Sequence, residues 1–363
     1  MRSASLLRVA FCKSLHPCRV GRANMVAVWV FLLVTQTVWA QEFVTNVSNK
    51  GTVAAAFLEI GIGARAVSMG GTYVAESGRM DMIYWNPAGL AHLEGLGVSF
   101  SHTEWLAETN HEFFTLAKEL PFIRSVAAAS IVVLSVPAQP VRTVLMPEGT
   151  GEDYKAQDYA VSFSVATKLI DEFSVGLTTK YINQRIWTES AGQLALDVGV
   201  HYKTPLPGLS LGASISNFGP DMQLSGKNLT NIVDPDVVNR GIENIPVEYK
   251  TDGFPLPQIF RFGTSYTRPL PGRGQVVAMA SLMHPTGSTE SMSVGLEYGF
   301  NNLVFFRAGY QNLFERDAIS SLTLGAGLQY VLRRRHTFAF DYAYADWTIL
   351  QKVHRLSLSM LFK

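Results

Sequence analysis

One glycine-rich stretch of the sequence has a spacing that could serve nucleotide chemistry. Residues 61–66 read GIGARA, which fits the G-x-G-x-x-A fingerprint of dinucleotide-binding proteins, and Asp81 follows about twenty residues on. In that fingerprint the glycines let a pyrophosphate approach the start of a helix, and the acid binds a ribose hydroxyl. The site also needs a parallel βαβ unit. Because no alternation of strands and helices follows this stretch, we do not expect a nucleotide site.

The other residue types that catalyse reactions or bind metals do not form a working pattern. Eight histidines occur, but the chain has no H-E-x-x-H motif and no G-x-S-x-G elbow. His92, His102 and His111 are spaced about ten residues apart, as expected of separate strand ends. We therefore predict no metal site, no cofactor and no enzymatic activity. A catalytic pair on a barrel rim, built from residues distant in sequence, is the alternative that spacing leaves open.

A second unusual stretch is MIYWNPAGLAHLEG, residues 82–95. It suits neither a helix interior nor a strand, because Pro87 disfavours the helical conformation of Asn86. Gly89 could close the short element that follows. Without catalytic partners, this stretch is either a linker or part of a segment that plugs a larger domain. The surrounding elements decide between these alternatives.

The first forty residues have the organisation of a secretory signal peptide. Their five basic residues end at Arg22, they contain no acidic residue, and the apolar run MVAVWVFLLV covers 25–34. About ten apolar residues are too few for a helix to span a bilayer, and Ala40 suits cleavage before Gln41. We predict a signal peptide over 1–40, with a membrane anchor as the alternative. The remaining chain would carry 25 basic and 29 acidic residues and no cysteine, and nothing indicates a nucleic-acid partner.

After Gly95 the sequence consists of short segments in which apolar and polar residues alternate. A period of two indicates strands with one apolar and one polar face. No apolar run of about 18 residues follows residue 40, so the pattern argues against membrane-spanning helices. Fourteen segments are predicted as strands: Leu96–Trp105, Glu112–Pro121, Val126–Val136, Gln157–Leu169, Phe173–Trp187, Ala191–Thr204, Leu209–Pro220, Gln258–Arg268, Gly274–His284, Ser291–Phe300, Leu303–Gln311, Ser321–Leu332, His336–Trp347 and Lys352–Phe362.

The connections between these strands favour an outer-membrane barrel over a soluble sandwich. Such barrels have an even number of strands, short turns on one rim and long loops on the other. The sequence predicts tight connections at 171–172, 301–302 and 333–335, and long ones at 137–156 and 221–257.

The composition of individual strands favours the same fold. The last segment, HRLSLSMLF, places apolar residues from Leu356 to Phe362 on one face and polar residues from Arg355 to Ser359 on the other. Three tryptophans lie at predicted strand ends, where they are expected to contribute to the two aromatic girdles of a membrane barrel: Trp105, Trp187 and Trp347.

Residues 57–95 resemble the signature of the PorV/PorQ family of outer-membrane proteins. The resemblance rests on FL at 57–58, GIGARA at 61–66, MGG at 69–71 and YWNPAGL at 84–90, followed by SFSHTEWL at 99–106. Further matching stretches lie at 260–263, 307–310, 340–344 and 354–355, so the resemblance spans nearly the whole chain after residue 40. The long connections 137–156 and 221–257 carry none.

The wider superfamily is FadL-like, and the resemblance implies an all-β fold: a 14-stranded antiparallel transmembrane β-barrel with an N-terminal plug, or hatch, in its lumen. The expected division is a signal peptide at 1–40, the plug at 41–94 and the barrel at 95–363. A conformational role is favoured over ligand binding for the plug motif, in which glycines permit positive φ and close packing. The motif comprises Gly61, Gly63, Arg65, Gly70, Gly71, Trp85, Asn86, Pro87 and Gly89. Four charged plug residues are expected to face a polar lumen: Arg65, Glu76, Arg79 and Asp81.

The resemblance implies an outer-membrane location in a Gram-negative-type bacterium, with outer-membrane lipid as a partner, and leaves two functions open. A PorV-like protein would bind secreted cargo proteins and other components of type IX secretion through its long extracellular loops. A FadL-like protein would let hydrophobic small molecules cross, which requires an apolar pocket above the plug and a hydrophobic ligand in the lumen. The motif favours secretion, and residues 221–257 lack the clustered large apolar residues of a capture groove. An architectural barrel is a third possibility.

Overall fold

The computed structural model of the chain describes residues 51–234, 245–313, 315, 322–333, 335–350 and 352–363. The predicted signal peptide lies outside these residues. Within them, no helix has the length and apolar character needed to cross a membrane. The predicted division at 1–40, 41–94 and 95–363 stays a prediction, although the first long strand begins at Leu96.

Fourteen long strands form one closed antiparallel barrel, as predicted. Each strand pairs with its neighbours in sequence, and the first strand pairs with the last. They are β1 Leu96–Glu104, β2 Asn110–Leu120, β3 Ser125–Ser135, β4 Ala156–Lys168, β5 Phe173–Ile186, β6 Glu189–Lys203, β7 Leu209–Phe218, β8 Ile259–Leu270, β9 Gly274–Pro285, β10 Ser291–Phe300, β11 Val304–Leu313, β12 Leu322–Leu332, β13 His336–Asp346 and β14 Lys352–Phe362.

The alternation of side chains explains why these segments pair into a barrel. In β14, Leu356 and Leu358 are 41% and 43% exposed on the outer face, whereas Arg355 and Ser357 are 2% and 7% exposed inside. Outward leucines, phenylalanines and tyrosines recur on the other strands, among them Phe100, Phe163, Leu194, Phe306 and Leu324. Such a band suits lipid, and the inward face is polar or small.

The two rims of the barrel differ in the length of their connections. One rim, here called the short-turn rim, carries connections of three to five residues, such as 121–124 and 301–303. The opposite, long-loop rim carries the connections 136–155 and 219–258. The expected asymmetry is incomplete, because residues 187–188 alone join β5 to β6 on the long-loop rim. Trp187 has a positive φ of 53° there, which allows the tight turn.

The predicted contribution of the tryptophans to two girdles is wrong in one respect. All three lie on the long-loop rim: Trp105 follows β1, Trp187 follows β5 and Trp347 follows β13. The rings of Trp105 and Trp347 form an edge contact with centroids 5.1 Å apart. These residues therefore contribute to one interface only.

Residues 51–94, here called the plug segment, lie inside the barrel. Their short helices are Ala56–Glu59 (3₁₀), α1 Ala64–Ser68, α2 Met82–Trp85 and Pro87–His92 (3₁₀). Three hydrogen bonds reach widely separated parts of the wall: Ala64 N donates to Ser357 Oγ, Asn86 Nδ2 to Val200 O, and Ser214 Oγ to Trp85 O. The segment is therefore surrounded by wall strands.

The connections contain only short elements. Two-residue strands are Gln139–Pro140, Asp153–Tyr154, Met222–Gln223, Ser225–Gly226 and Gly253–Phe254, and a hairpin joins Thr230–Val233 to Ile245–Glu248. Single 3₁₀ turns are Leu106–Glu108, Pro121–Ile123, Lys227–Leu229 and Thr348–Leu350. In the described parts of the long loops, Ser225–Gly226 extends the barrel sheet and the other strands form small separate pairs.

Candidate functional site: the plug segment and the lumen

Helix α1 is bounded by glycines whose backbone other residues rarely adopt. Gly63 precedes it with φ 78°, and Gly70 and Gly71 follow it with φ 70° and 69°. Positive φ was predicted at these positions, and glycine adopts it without strain. Gly61 is different: it is not among the positive-φ residues, and it packs against the Trp85 ring instead.

Arg65 fastens α1 to the barrel wall. Its Nε and Nη2 atoms contact the two carboxylate oxygens of Glu297 in β10 at 2.7 and 2.8 Å, a bidentate geometry. Its Nη1 atom donates to Tyr73 Oη at 2.7 Å and to Glu76 Oε2 at 2.9 Å. The expectation that Arg65 faces a polar lumen holds, and its main partner lies 232 residues away in the sequence.

The ion pairs continue along the wall. Arg307 in β11 binds the same Glu297 through Nε and donates from Nη1 to Asp341 Oδ1 in β13 at 2.7 Å. All four side chains of this ion-pair network, Arg65, Glu297, Arg307 and Asp341, are buried. Removing one member of a buried pair leaves a charge without compensation, which costs about 3–5 kcal/mol. The network therefore holds α1 to β10, β11 and β13.

Asn86 fastens the other side of the plug segment. Its extended backbone, φ −162° and ψ 103°, is the conformation expected before Pro87. Its Oδ1 atom accepts from Ala88 N, and its Nδ2 atom donates to Val74 O at 2.7 Å and Val200 O at 2.9 Å. The side chain thus joins two plug turns to β6.

The structure also places Trp85 and Gly89. Trp85 Nε1 donates to Ile62 O at 3.1 Å, which closes the plug on itself. Gly89 was expected to end the element after Pro87, but it lies inside the helix Pro87–His92. A side chain there would collide with the plug, because the Glu76 carbonyl oxygen lies within 2.7 Å of where a Cβ atom would stand.

Inward-facing glycines of the wall bring the plug backbone into direct contact with the strands. A Cβ atom on Gly309 in β11 would overlap the Gly70 amide nitrogen, and one on Gly199 in β6 would overlap Asn86 Oδ1. At these two places the wall accepts no side chain while the plug segment is seated. The plug motif and the wall glycines are therefore complementary surfaces.

An apolar layer lies between the plug segment and the long-loop rim. It contains Phe57 and Leu58 of the plug, Phe113 and Ile182 of the wall, and Leu256 of the connection 219–258, all buried. A backbone hydrogen bond of 2.9 Å from Ala54 N to Pro255 O joins plug and connection at this level. The layer is closed by packed side chains.

The short-turn side of the lumen is polar. A cavity of about 260 Å³ is lined by the ion-pair network, together with Arg79, Gln275, Asn302 and Gln329. Asp81 lies beside it, and burial raises the pKa of its carboxyl. The lumen is thus charged toward the short turns, whereas toward the long loops it combines the apolar layer with buried arginines, Arg261 and Arg355.

The charged wall residues that hold the plug segment were not among the residues predicted from the sequence. Glu297, Arg307 and Asp341 fall on the polar face of alternating strands, which is the signal that could have identified them as luminal. In the part of the chain that the structure describes, no three His, Cys, Asp or Glu residues are placed to hold a metal ion. The absence of enzymatic activity stays a prediction.

Comparison with known proteins gives a fold and no sequence family. No family model matches the chain, and no curated protein matches it. Among solved structures, the Ralstonia pickettii toluene transporter TbuX is 14% identical, with a TM-score of 0.52 over 84% of this chain and 99% of that one. The CymD monoaromatic hydrocarbon channel is 14% identical, with a TM-score of 0.55 over 84% and 98%.

A third similar structure is the Pseudomonas putida toluene transporter TodX. It is 12% identical, with a TM-score of 0.52 over 83% of this chain and 97% of that one. The three comparisons each cover most of both chains, so the likeness includes the whole barrel. The chain therefore has the fold of these hydrocarbon transporters, a 14-stranded antiparallel barrel.

Proposed function

We propose that this protein is an outer-membrane channel for hydrophobic small molecules, in which the plug segment closes the lumen. The fold it shares with transporters of toluene and other monoaromatic hydrocarbons supports this function. The apolar outer face of the strands supports the location in a membrane.

The observation that carries the proposal is the apolar layer above the plug segment. A hydrophobic molecule that enters from the long-loop rim meets Leu256 first and then Phe57, Phe113 and Ile182. Burial of apolar surface there is favourable by ~25 cal/mol per Å². The molecule would displace the base of the connection 219–258 and take its place against the wall.

The composition of this connection was a poor guide to its role. Residues 221–257 contain no long apolar run and no cluster of Leu, Phe and Met, a pattern that argues against a hydrophobic capture groove. Met222 and Leu256, however, are buried in the apolar core, and Leu224 packs against it. A few apolar residues in the right places are enough to close the barrel opening at the long-loop rim, because side chains of the wall already line it.

The type IX secretion function rests on the sequence resemblance to PorV/PorQ proteins alone. The fold likeness favours uptake of hydrophobic molecules, and no contact of the described loops points to a protein cargo. We therefore propose uptake and not binding of secreted cargo proteins.

Substitution of Leu256 tests this proposal. In outer-membrane vesicles or cells that display the protein, we expect Leu256→Asp to lower the initial uptake rate of radiolabelled toluene and naphthalene about tenfold. A tenfold change corresponds to about 1.4 kcal/mol, which a carboxylate in the apolar layer readily exceeds.

The matched control is Leu145→Asp, because Leu145 is an exposed leucine of the other long connection. It should leave uptake at the level of the unaltered protein. Equal uptake by the Leu256 variant, at equal surface abundance, would argue against the apolar layer as the entry route.

A further inference from the structure

The inner face of β14 and β1 carries small hydroxyl side chains beside a buried arginine, Arg355. Across this pair of strands, inward side chains face each other in rows: Ser99 opposite Ser359, Ser101 opposite Ser357, and Thr103 opposite Arg355. Hydroxyl groups thus line this seam from its short-turn end, here called the lower end, toward its long-loop end, here called the upper end. We call this set the polar lane.

The plug segment forms the other side of the lane. Ala64 N donates to Ser357 Oγ at 2.8 Å, and Ser357 Oγ donates to Ser101 Oγ at 2.9 Å. A cavity of about 20 Å³ lies between the plug and Ser99, and it shares Arg65, Arg79 and Asp341 with the larger polar cavity. That volume holds about one water molecule. The lane therefore continues into the polar cavity at the short-turn rim.

Polar atoms without partners lie at both ends of the lane. At the lower end, Asp81 Oδ1 is buried and has no hydrogen-bond partner. At the upper end, His111, Thr103 and Arg355 form one inward row across β2, β1 and β14. Arg355 Nε donates to Thr103 Oγ1 at 2.6 Å, but Arg355 Nη1 and His111 Nε2 have no partner.

The surroundings of Arg355 at the upper end indicate that water or an ion, and not another protein group, contacts this side chain. Arg355 is 2% exposed, and among the described residues no carboxylate pairs with it. A buried, unpaired charge costs several kcal/mol unless water or a counterion accompanies it. Buried polar atoms without partners commonly mark sites of ordered water or ions. Water and a small anion satisfy Arg355, whereas a cation would not.

We propose that the polar lane conducts water and small inorganic anions past the plug segment, by a route separate from that of hydrophobic molecules. Arg355 selects for anions at the upper end. The edge contact between Trp105 and Trp347, at the long-loop ends of β1 and β13, covers the exit. The proposal goes beyond hydrophobic uptake and requires only that the barrel spans a membrane.

Conductance of the purified full-length protein in planar bilayers of neutral lipid tests the proposal. Under a KCl gradient we expect a small conductance whose reversal potential lies toward the chloride equilibrium potential. Arg355→Gln should move the reversal potential close to zero, and Arg355→Lys, which keeps the charge, should retain the anion preference. Ser99→Val with Ser101→Val, which keeps the plug attachment at Ser357, should lower the conductance at least about fivefold, because two hydroxyls that solvate the lane are lost.

The matched control is Ser164→Val with Thr178→Val, an inward hydroxyl pair on β4 and β5. It should leave the conductance unchanged. No conductance above that of the bare bilayer, an unchanged reversal potential in folded Arg355→Gln, or an equal loss in the control would each overturn the proposal. Heat-modifiable migration on gels reports the folding of each variant, and the Ser99/Ser101 pair tests the lane even if Arg355→Gln fails to fold.

Uptake of toluene by the same variants separates the two proposals. The Ser99/Ser101 variant should transport toluene normally, because neither serine belongs to the apolar layer and the bond from Ala64 N to Ser357 Oγ is kept. Loss of conductance with normal uptake supports the polar lane, whereas loss of both would contradict a separate route.

Discussion

Replacement of Gly309 by alanine is expected to unseat the plug segment. The added Cβ atom would overlap the Gly70 amide and the Met69 carbonyl carbon, neither of which can rotate away as a side chain does. Overpacking of this kind costs ~1–3 kcal/mol, which raises the unseated fraction about five- to hundredfold. Planar-bilayer recordings should then show large, open-barrel conductance steps, and cells should become sensitive to large hydrophilic antibiotics.

The control for this prediction is Gly274→Ala in β9. A Cβ atom there would meet only the Tyr298 ring and Leu270 at ordinary contact distances of 3.4 Å or more. We expect this variant to keep the closed conductance of the unaltered protein. If Gly309→Ala and Gly274→Ala gave the same recordings, direct backbone contact would not be what seats the plug segment.

The second large effect is expected at Arg65. Alanine at this position removes both bonds to Glu297 and the bonds to Tyr73 and Glu76. Because buried Glu297 then keeps only Arg307 as a partner, we expect the free energy of unfolding to fall by up to about 3–5 kcal/mol, the cost of breaking a buried pair. Urea unfolding of the detergent-solubilised barrel, followed by tryptophan fluorescence, measures this loss, and limited proteolysis should cleave the plug segment faster.

Two further variants test whether burial makes the ion pair between Arg65 and Glu297 strongly stabilising. Arg124→Ala breaks a pair of the same length, 2.7 Å to Asp171, but its side chains are 61% and 84% exposed. Its cost should stay below about 1 kcal/mol. The double variant Arg65→Met with Glu297→Gln should recover much of the lost stability, since it leaves no buried carboxylate unpaired. A loss at Arg65 no larger than at Arg124 would contradict a structural role of the ion-pair network.

The barrel could be predicted from the sequence because the physics of each strand is local. In β14, alternating leucines and serines specify which face of the strand meets lipid. A shift of the strand pairing by one residue would turn the serines toward the lipid, so the alternation also fixes the register. The same logic gives the fourteen strands. The conformational freedom of glycine predicts positive φ at 61, 63, 70 and 71, and three of these four glycines adopt it, Gly63, Gly70 and Gly71. Asn86 was also expected to be extended, because Pro87 constrains it directly.

The attachments of the plug segment could not be predicted in this way. Arg65 and Glu297 are 232 residues apart, and only closure of the barrel brings β10 next to α1. Gly89 was expected to end a helix, but its role is set by the distant Glu76 carbonyl. The composition of the connection 219–258 also did not indicate that Leu256 is buried, because that burial depends on where the loop returns to the wall.

Uptake by the proposed route requires that a hydrophobic molecule occupy the apolar layer between the plug segment and the long-loop rim. This can be tested with crystals of the protein soaked in iodobenzene, recorded at a wavelength where iodine scatters anomalously. We predict an iodine peak inside the barrel, between Phe113, Ile182 and Leu256, in the unaltered protein and its absence in Leu256→Asp. Iodine confined to the outer, lipid-facing surface of the strands, with none in the lumen, would contradict the account.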